Sequence, residues 1–259
     1  MKSTNRFCMF ILLIFSFIQS EYSISFDEAG HIDVGSEFNF SGSDDFSIGM
    51  WVNPNDNDNG TLVRYNTQVA GSLGYKAAIN SDGTVRFALD YFNTAGWDSE
   101  EDGSAADWNT DQVLPLEQWS HILFVKEENH AKIYINGILA NDGEWNVEGY
   151  DITEATEGSG GQLHFGQDFQ AAEIFPFFGQ LDEIIVWDKA LSADDASGYL
   201  NCAPYEEGLM AHWPIQEGSG STINDISGNG YNGEMTDGAW SEDSSGPNVV
   251  DECNVCDGD

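Results

Sequence analysis

Carboxylates set beside turn carbonyls are the first residues in this chain able to do chemistry. Asp27, with the carbonyls of Glu28 to Gly30, offers mixed oxygen ligands, and Asp182 stands near the start of the run Gly179 to Leu191, GQLDEIIVWDKAL. A calcium ion takes six to eight such oxygens, so Asp27, Gly30 and Asp182 are candidate metal ligands. The competing reading is that Asp27 makes a turn and Asp182 caps a strand end. A second group is aromatic. Trp97, Asp98, Trp108 and Asn109 fall in the polar run 93–112, and Trp145 falls in another. Indole faces stack on the C–H faces of sugars while planar polar groups pair with hydroxyls, which makes Trp97, Asp98, Trp108 and Asn109 candidate ligand-binding residues. The alternative is that the loop tryptophans fold back as a lid over the core.

Other chemistries lack their residues. In NPNDNDNG, 53–60, Asn55, Asn57, Asn59 and Gly60 match the first positions of an EF-hand loop, but Asn66 stands where the bidentate Glu belongs. Glycoside hydrolysis needs two carboxylates facing across a sugar. There is no E-x-D-x-E, and the adjacent Asp182 and Glu183 would point to opposite faces of a strand. Neither G-x-S-x-G nor H-E-x-x-H occurs. His121, His130 and His164 have no cysteine or histidine at ligand spacing, which favours packed or surface histidines. The expectation is a protein that is not an enzyme.

The 259 residues carry 8 Lys+Arg against 45 Asp+Glu, a net charge of -37. Such a field repels nucleic acid and anionic membrane surfaces. Residues 1–20 read as a signal peptide: Lys2 and Arg6 precede the apolar run Phe7 to Ile18, which is short for a membrane span. The expected location is secreted or cell-surface. Three cysteines come after it, Cys202, Cys253 and Cys256. An odd number leaves a free thiol, an intermolecular bridge or a partner elsewhere. The expected pairing is Cys202 with Cys253, which would close Glu206 to Asp243 back onto the preceding domain. Asn39 and Asn59 fit the N-glycosylation pattern.

These residues must be positioned by short strands. Ser23 to Phe26 and His31 to Val34 flank the Asp27–Gly30 turn as a hairpin. Phe46 to Val52, Leu62 to Tyr65, Tyr75 to Asn80, Val85 to Tyr91, Trp119 to Val125, Ala131 to Ile135 and Leu163 to Gly166 continue the pattern. Asn136-Gly137 is a strong hairpin signal, and Asn93 to Gln112 reads as a long loop. In GQLDEIIVWDKAL both parities carry large apolar residues, so this strand is covered on both faces. Ser192 is a candidate N-cap for a short helix. With no long amphipathic helix, the class is all-β, an antiparallel two-sheet β-sandwich.

FSIGMWV, LPLEQWSHILFVK, KIYINGILA and FFGQLDEIIVWDKALSADD, in this order and with ISFDEAGHIDVG before them, resemble the LamG-like jelly-roll domains of the concanavalin A-like lectin/glucanase superfamily. The resemblance covers Tyr22 to Cys202 and implies two curved sheets packed face to face. It also implies a structural calcium held by the Asp of the FD turn, here Asp27, and the Asp of the G-x-[IL]-D-E strand, here Asp182. The segment 204–243 is similar to the opening of further LamG-like units, and is either a truncated second repeat or a β-rich extension of the first domain. Residues 244–259 resemble acidic linkers of modular secreted proteins. The organisation expected is 1–20 signal peptide, 21–203 jelly roll, 204–243 extension or partial repeat, and 244–259 linker. The function implied is non-catalytic recognition of a glycan or extracellular protein in adhesion or targeting. The alternatives are a structural spacer and an accessory module of a polysaccharide-degrading enzyme.

Overall fold

A computed structural model describes residues 22–40, 44–66, 74–90, 105–144, 161–168, 175–199 and 207–242. The strands are β1 (Tyr22–Phe26), β2 (His31–Asp33), β3 (Phe46–Pro54), β4 (Thr61–Asn66), β5 (Gly74–Ile79), β6 (Thr84–Asp90), β7 (Ala105–Val113) and β8 (Ser120–Glu127). After them come β9 (His130–Ile135), β10 (Ile138–Glu144), β11 (Gln162–Phe165), β12 (Gly179–Trp187), helix α1 (Ala193–Tyr199), β13 (Leu209–Trp213), β14 (Thr222–Ile223), β15 (Gly233–Thr236) and β16 (Ala239–Glu242).

Two antiparallel sheets form. One runs β10-β9-β8-β3-β12-β1-β16, with β13 also paired to β12; the other runs β14-β15-β2-β11-β4-β5-β6-β7. Alternating residues of both sheets fill the space between them, as a sandwich requires. Phe26, Phe46, Phe87, Phe124, Phe165 and Trp213 are among the residues buried there. Phe40 stacks on Phe46 at 4.4 Å.

The run Gly179 to Trp187 is the centre of the first sheet, paired along one edge with β3 and along the other with β1 and then β13. Both faces are covered, but not with the simple parity that the sequence suggests. The register slips between Asp182 and Ile185, and Glu183 sits at φ 47°. This bulge re-aims the side chains beyond it. Leu181, Ile184 and Val186 face the main core. Ile185 and Trp187 turn outward, onto Leu123, Tyr134, Leu191 and Ala196. Ser192 caps α1: its Oγ accepts from Asp195 N at 3.1 Å, while Ser192 N donates to the Asp195 carboxylate at 2.9 Å.

Two other sequence expectations are corrected. β1 and β2 are not a hairpin, because β1 pairs with β12 and β16 while β2 pairs with β11 and β15. The Asp27–Gly30 turn therefore carries the chain from one sheet to the other. Residues 105–113, read as loop, form edge strand β7, in which Trp108 and Thr110 alternate with exposed Asp107, Asn109 and Asp111. Thr110 Oγ1 accepts the Val85 N–H at 3.0 Å. On an edge strand one face is wet, so half the residues are polar and the apolar signal is diluted. The hairpin at Asn136-Gly137 joins β9 and β10 with both residues at positive φ, 50° and 73°.

Segment 204–243 supplies β13 to β16, which pair into both sheets. Residues 1–20, Cys202, Cys253 and 244–259 lie outside the described residues.

Candidate ligand-binding face

Alternation in the second sheet sends Ile32, Leu163, Phe165, Val63, Tyr65 and Tyr75 inward, so His31, Asp33, His164, Arg64 and Lys76 stand on the outer face. Register lines them up across the strands. Glu234 pairs with Asp33, Asp33 with His164, His164 with Arg64 and Arg64 with Lys76. Ala88 and Asp107 complete the row. One residue-pair along, Arg86 is opposite Asn109.

Asp168, three residues beyond β11, lies over this row. Asp168 is 1% exposed and lies between two cations, 3.5 Å from Arg64 Nε and 2.8 Å from Lys76 Nζ. Phe175 places its ring 4.8 Å from Lys76 Nζ, a cation–π arrangement. Burial lowers the Lys76 pKa against the opposing pull of Asp168. It likewise pushes His164 down to about 4 and lowers His31, whose rings meet edge to face at 5.5 Å. Arg86 and Asp107 form a more open pair, with Arg86 Nε donating to Asp107 at 3.0 Å. Asn109 accepts from Asn80 Nδ2 at 2.8 Å. The result is a face with a sealed ion-pair centre and open, hydrogen-bonding flanks. Planar guanidinium and amide groups of this kind pair with hydroxyl or carboxylate edges of a ligand.

The sequence-predicted residues divide. Asn109 lies on this face. Trp108 points the other way, packed against the core, with its indole against Gly143 of β10; it covers the sandwich edge and does not project as a platform. Trp97, Asp98 and Trp145 lie outside the described residues. Asp27 is exposed and accepts from Ser25 Oγ. Asp182 is 4% exposed, lies opposite Trp51 and accepts the Glu183 N–H at 2.9 Å, which ties off the bulge. Ile24 is opposite Leu181, so Asp182 is level with Ser23, four residues from Asp27. Gly30 is required by close approach, since a Cβ there would meet Asp237 O and the Phe26 ring. Among the described residues, no group of three His, Cys, Asp or Glu is gathered as a metal-binding set.

Arg64, Lys76, Arg86 and Asp168 were missed by sequence reasoning. A signal existed. Of 8 basic residues, six lie beyond residue 20, and three of these, each between apolar strand neighbours, stand on this one face.

A concanavalin A-like lectin/glucanases superfamily model, of the laminin G type, matches residues 26–197. The chain belongs to this family. Among solved structures, a Bacteroides ovatus protein with a provisional carbohydrate-binding assignment superposes with TM-score 0.63 at 17% identity, over 88% of this chain and 61% of that one. The heptameric SAP-like pentraxin of Limulus polyphemus gives 0.55 at 18% identity, over 86% and 96%. A Ruminococcus gnavus IT-sialidase CBM40 bound to α2,3-sialyllactose gives 0.55 at 15%, over 68% and 94%. At these identities the likeness is one of fold. The human adhesion G-protein coupled receptor D1 is 28% identical over 105 residues, 40% of this chain but 11% of the receptor. Among the described residues no helix is long and apolar enough to cross a membrane.

Proposed function

We propose that the chain is a non-catalytic extracellular recognition module that binds carbohydrate through the outer face of its second sheet. The observation that carries this reading is the cross-strand row Asp33, His164, Arg64 and Lys76, flanked by the partly exposed pair Arg86–Asp107 and by Asn109. Forked donors and carboxylates held in register by a sheet suit the fixed spacing of sugar hydroxyls. The buried Arg64–Asp168–Lys76 group holds the centre rigid, and the open flanks make contact. Two of the similar folds supply support: one is described as bound to a sialylated sugar and one carries a carbohydrate-binding assignment. Adhesion or targeting of attached domains is the role proposed for such binding.

The test is retention of the mature chain on a polysaccharide and glycan panel, in calcium and in chelator. Arg86→Ala and Asn109→Ala should each weaken retention at least about tenfold while leaving the melting temperature within a few degrees. Retention unchanged by both variants would move the site off this face. Retention abolished by chelator would make a cation part of the binding.

A further inference from the structure

Beyond residue 20 the Lys and Arg residues are Arg64, Lys76, Arg86, Lys126, Lys132 and Lys189, and each of them is held by a carboxylate. Arg64 Nε and Lys76 Nζ lie 3.5 and 2.8 Å from Asp168, and Arg86 lies 2.5 Å from Asp107. Away from this face, Lys126 is 3.5 Å from Asp45, Lys132 pairs with Glu127, and Lys189 is 3.7 Å from Glu207. The stretches after residue 20 that lie outside the described residues contain no Lys, Arg or His. The count of cations is therefore complete for that part of the chain.

On the outer face of the second sheet, Arg64, Lys76 and Arg86 stand with Asp168 and Asp107. The same face adds Asp33, Asp111 and Glu234, so carboxylates outnumber cations there. Burial lowers His31, and His164 to about 4, which keeps both rings uncharged near pH 7. The whole chain carries a net charge of -37, and its field repels anions.

An acidic sugar meets this face badly. To pair with Arg86 its carboxylate must displace Asp107, which exchanges one ion pair for another and leaves Asp107 uncompensated. A hydroxyl meets it well. It accepts from a guanidinium and donates to a carboxylate at once, and neither partner has to give up the other: a guanidinium has five N–H donors and a carboxylate about four acceptor sites. The amides of Asn109 and Asn80, joined at 2.8 Å, offer the same mixture of donor and acceptor.

We propose that this face takes a neutral glycan, read through its hydroxyls, and excludes sugars that bear carboxylate or sulfate. The inference rests on the reading of the face as a binding site and adds the class of sugar.

The test is retention of the mature chain on matched immobilised pairs: methyl-esterified and de-esterified polygalacturonate, desulfated and sulfated galactan, lactose and sialyllactose, each in calcium and in chelator. At about 10 mM salt the acidic member should be held at least about tenfold more weakly than its neutral partner. Raising salt to about 0.5 M should change retention of the neutral member less than about twofold. Asp107→Asn, which takes the carboxylate from Arg86, should raise retention of the acidic member. An acidic member held as tightly as its neutral partner or more so, and lost on Arg86→Ala, would overturn this inference and leave the face standing as the binding site. Acidic retention that chelator abolishes would overturn it as well, the charge then coming from a bound cation. Acidic retention indifferent to Arg86→Ala, or retention of neither member of any pair by a cooperatively folded chain, would overturn the reading of the face and this inference together.

Discussion

The indole of Trp108 on β7 lies against the backbone of Gly143 on β10, so that a Cβ added to Gly143 would overlap the ring. These are edge strands of opposite sheets. Asn141 Nδ2 adds a bond to Asn109 O at 2.8 Å across the same gap. Among the described residues β7 and β10 do not pair as strands, and the gap between them is bridged by the Trp108 ring on Gly143 and by this Asn141 bond.

Gly143→Val should destabilise the fold by about 1–3 kcal/mol, the usual range for forced overpacking. In a Trp108→Ala background the same change should cost much less, because the clash is gone. Urea unfolding of the four-member cycle reads the coupling directly. Additive effects would mean that the two residues do not meet.

His121 gives the fold a pH dependence. Burial holds its pKa down to about 3, against an ordinary histidine value of 6.5. The unfolded chain takes the proton first, so stability is full above about pH 6.5 and falls as pH drops toward 3. The slope is up to about 1.4 kcal/mol per unit for this group. Between pH 6.5 and 5, above the range of ordinary carboxylates, the loss should be about 2 kcal/mol. His121→Leu should remove that share, and His164, held down to about 4 chiefly by burial, should account for a further slope. A stability curve unchanged by His121→Leu over this window would contradict the assignment.

Asp168→Ala would leave Arg64 and Lys76 without the carboxylate between them. Removing one partner from a buried ion pair costs about 3–5 kcal/mol. A shift in denaturation midpoint of that size is expected, larger than for Asp107→Ala at the exposed pair.

Asp225→Ala should cost about 2–4 kcal/mol, since the backbone N–H groups of His212, Ser227, Gly230 and Tyr231 lose one acceptor. The loss should appear as faster hydrogen exchange at Gly230 and Tyr231 before it appears in β8 or β9. Exchange rising uniformly would show that the 225–231 loop has no independent organisation.

The fold was readable because its signals are local. FSIGMWV, SHILFV and Asn136-Gly137 declare strands and a hairpin by alternation and turn chemistry, and the family motifs agree with them. The unreadable part is set by pairing. Nothing in YSISFDEAGHID says that the two strands leave in different sheets. Nor does DEIIVW announce the bulge at Glu183 that exchanges its faces. The row Asp33, His164, Arg64 and Lys76 draws one residue each from β2, β11, β4 and β5; only β4 and β5 are consecutive in the chain, so register had to assemble the rest.

The first described strand begins at Tyr22 and the last ends at Glu242, and these two residues are opposite each other in the β1–β16 pair. Tension applied at both points would not draw strands past one another under a shared load. It would open the pair like a zipper, one backbone bond after another, starting at Tyr22. Such a module is mechanically soft along that axis, and it hangs to the side of any tether that joins its two ends.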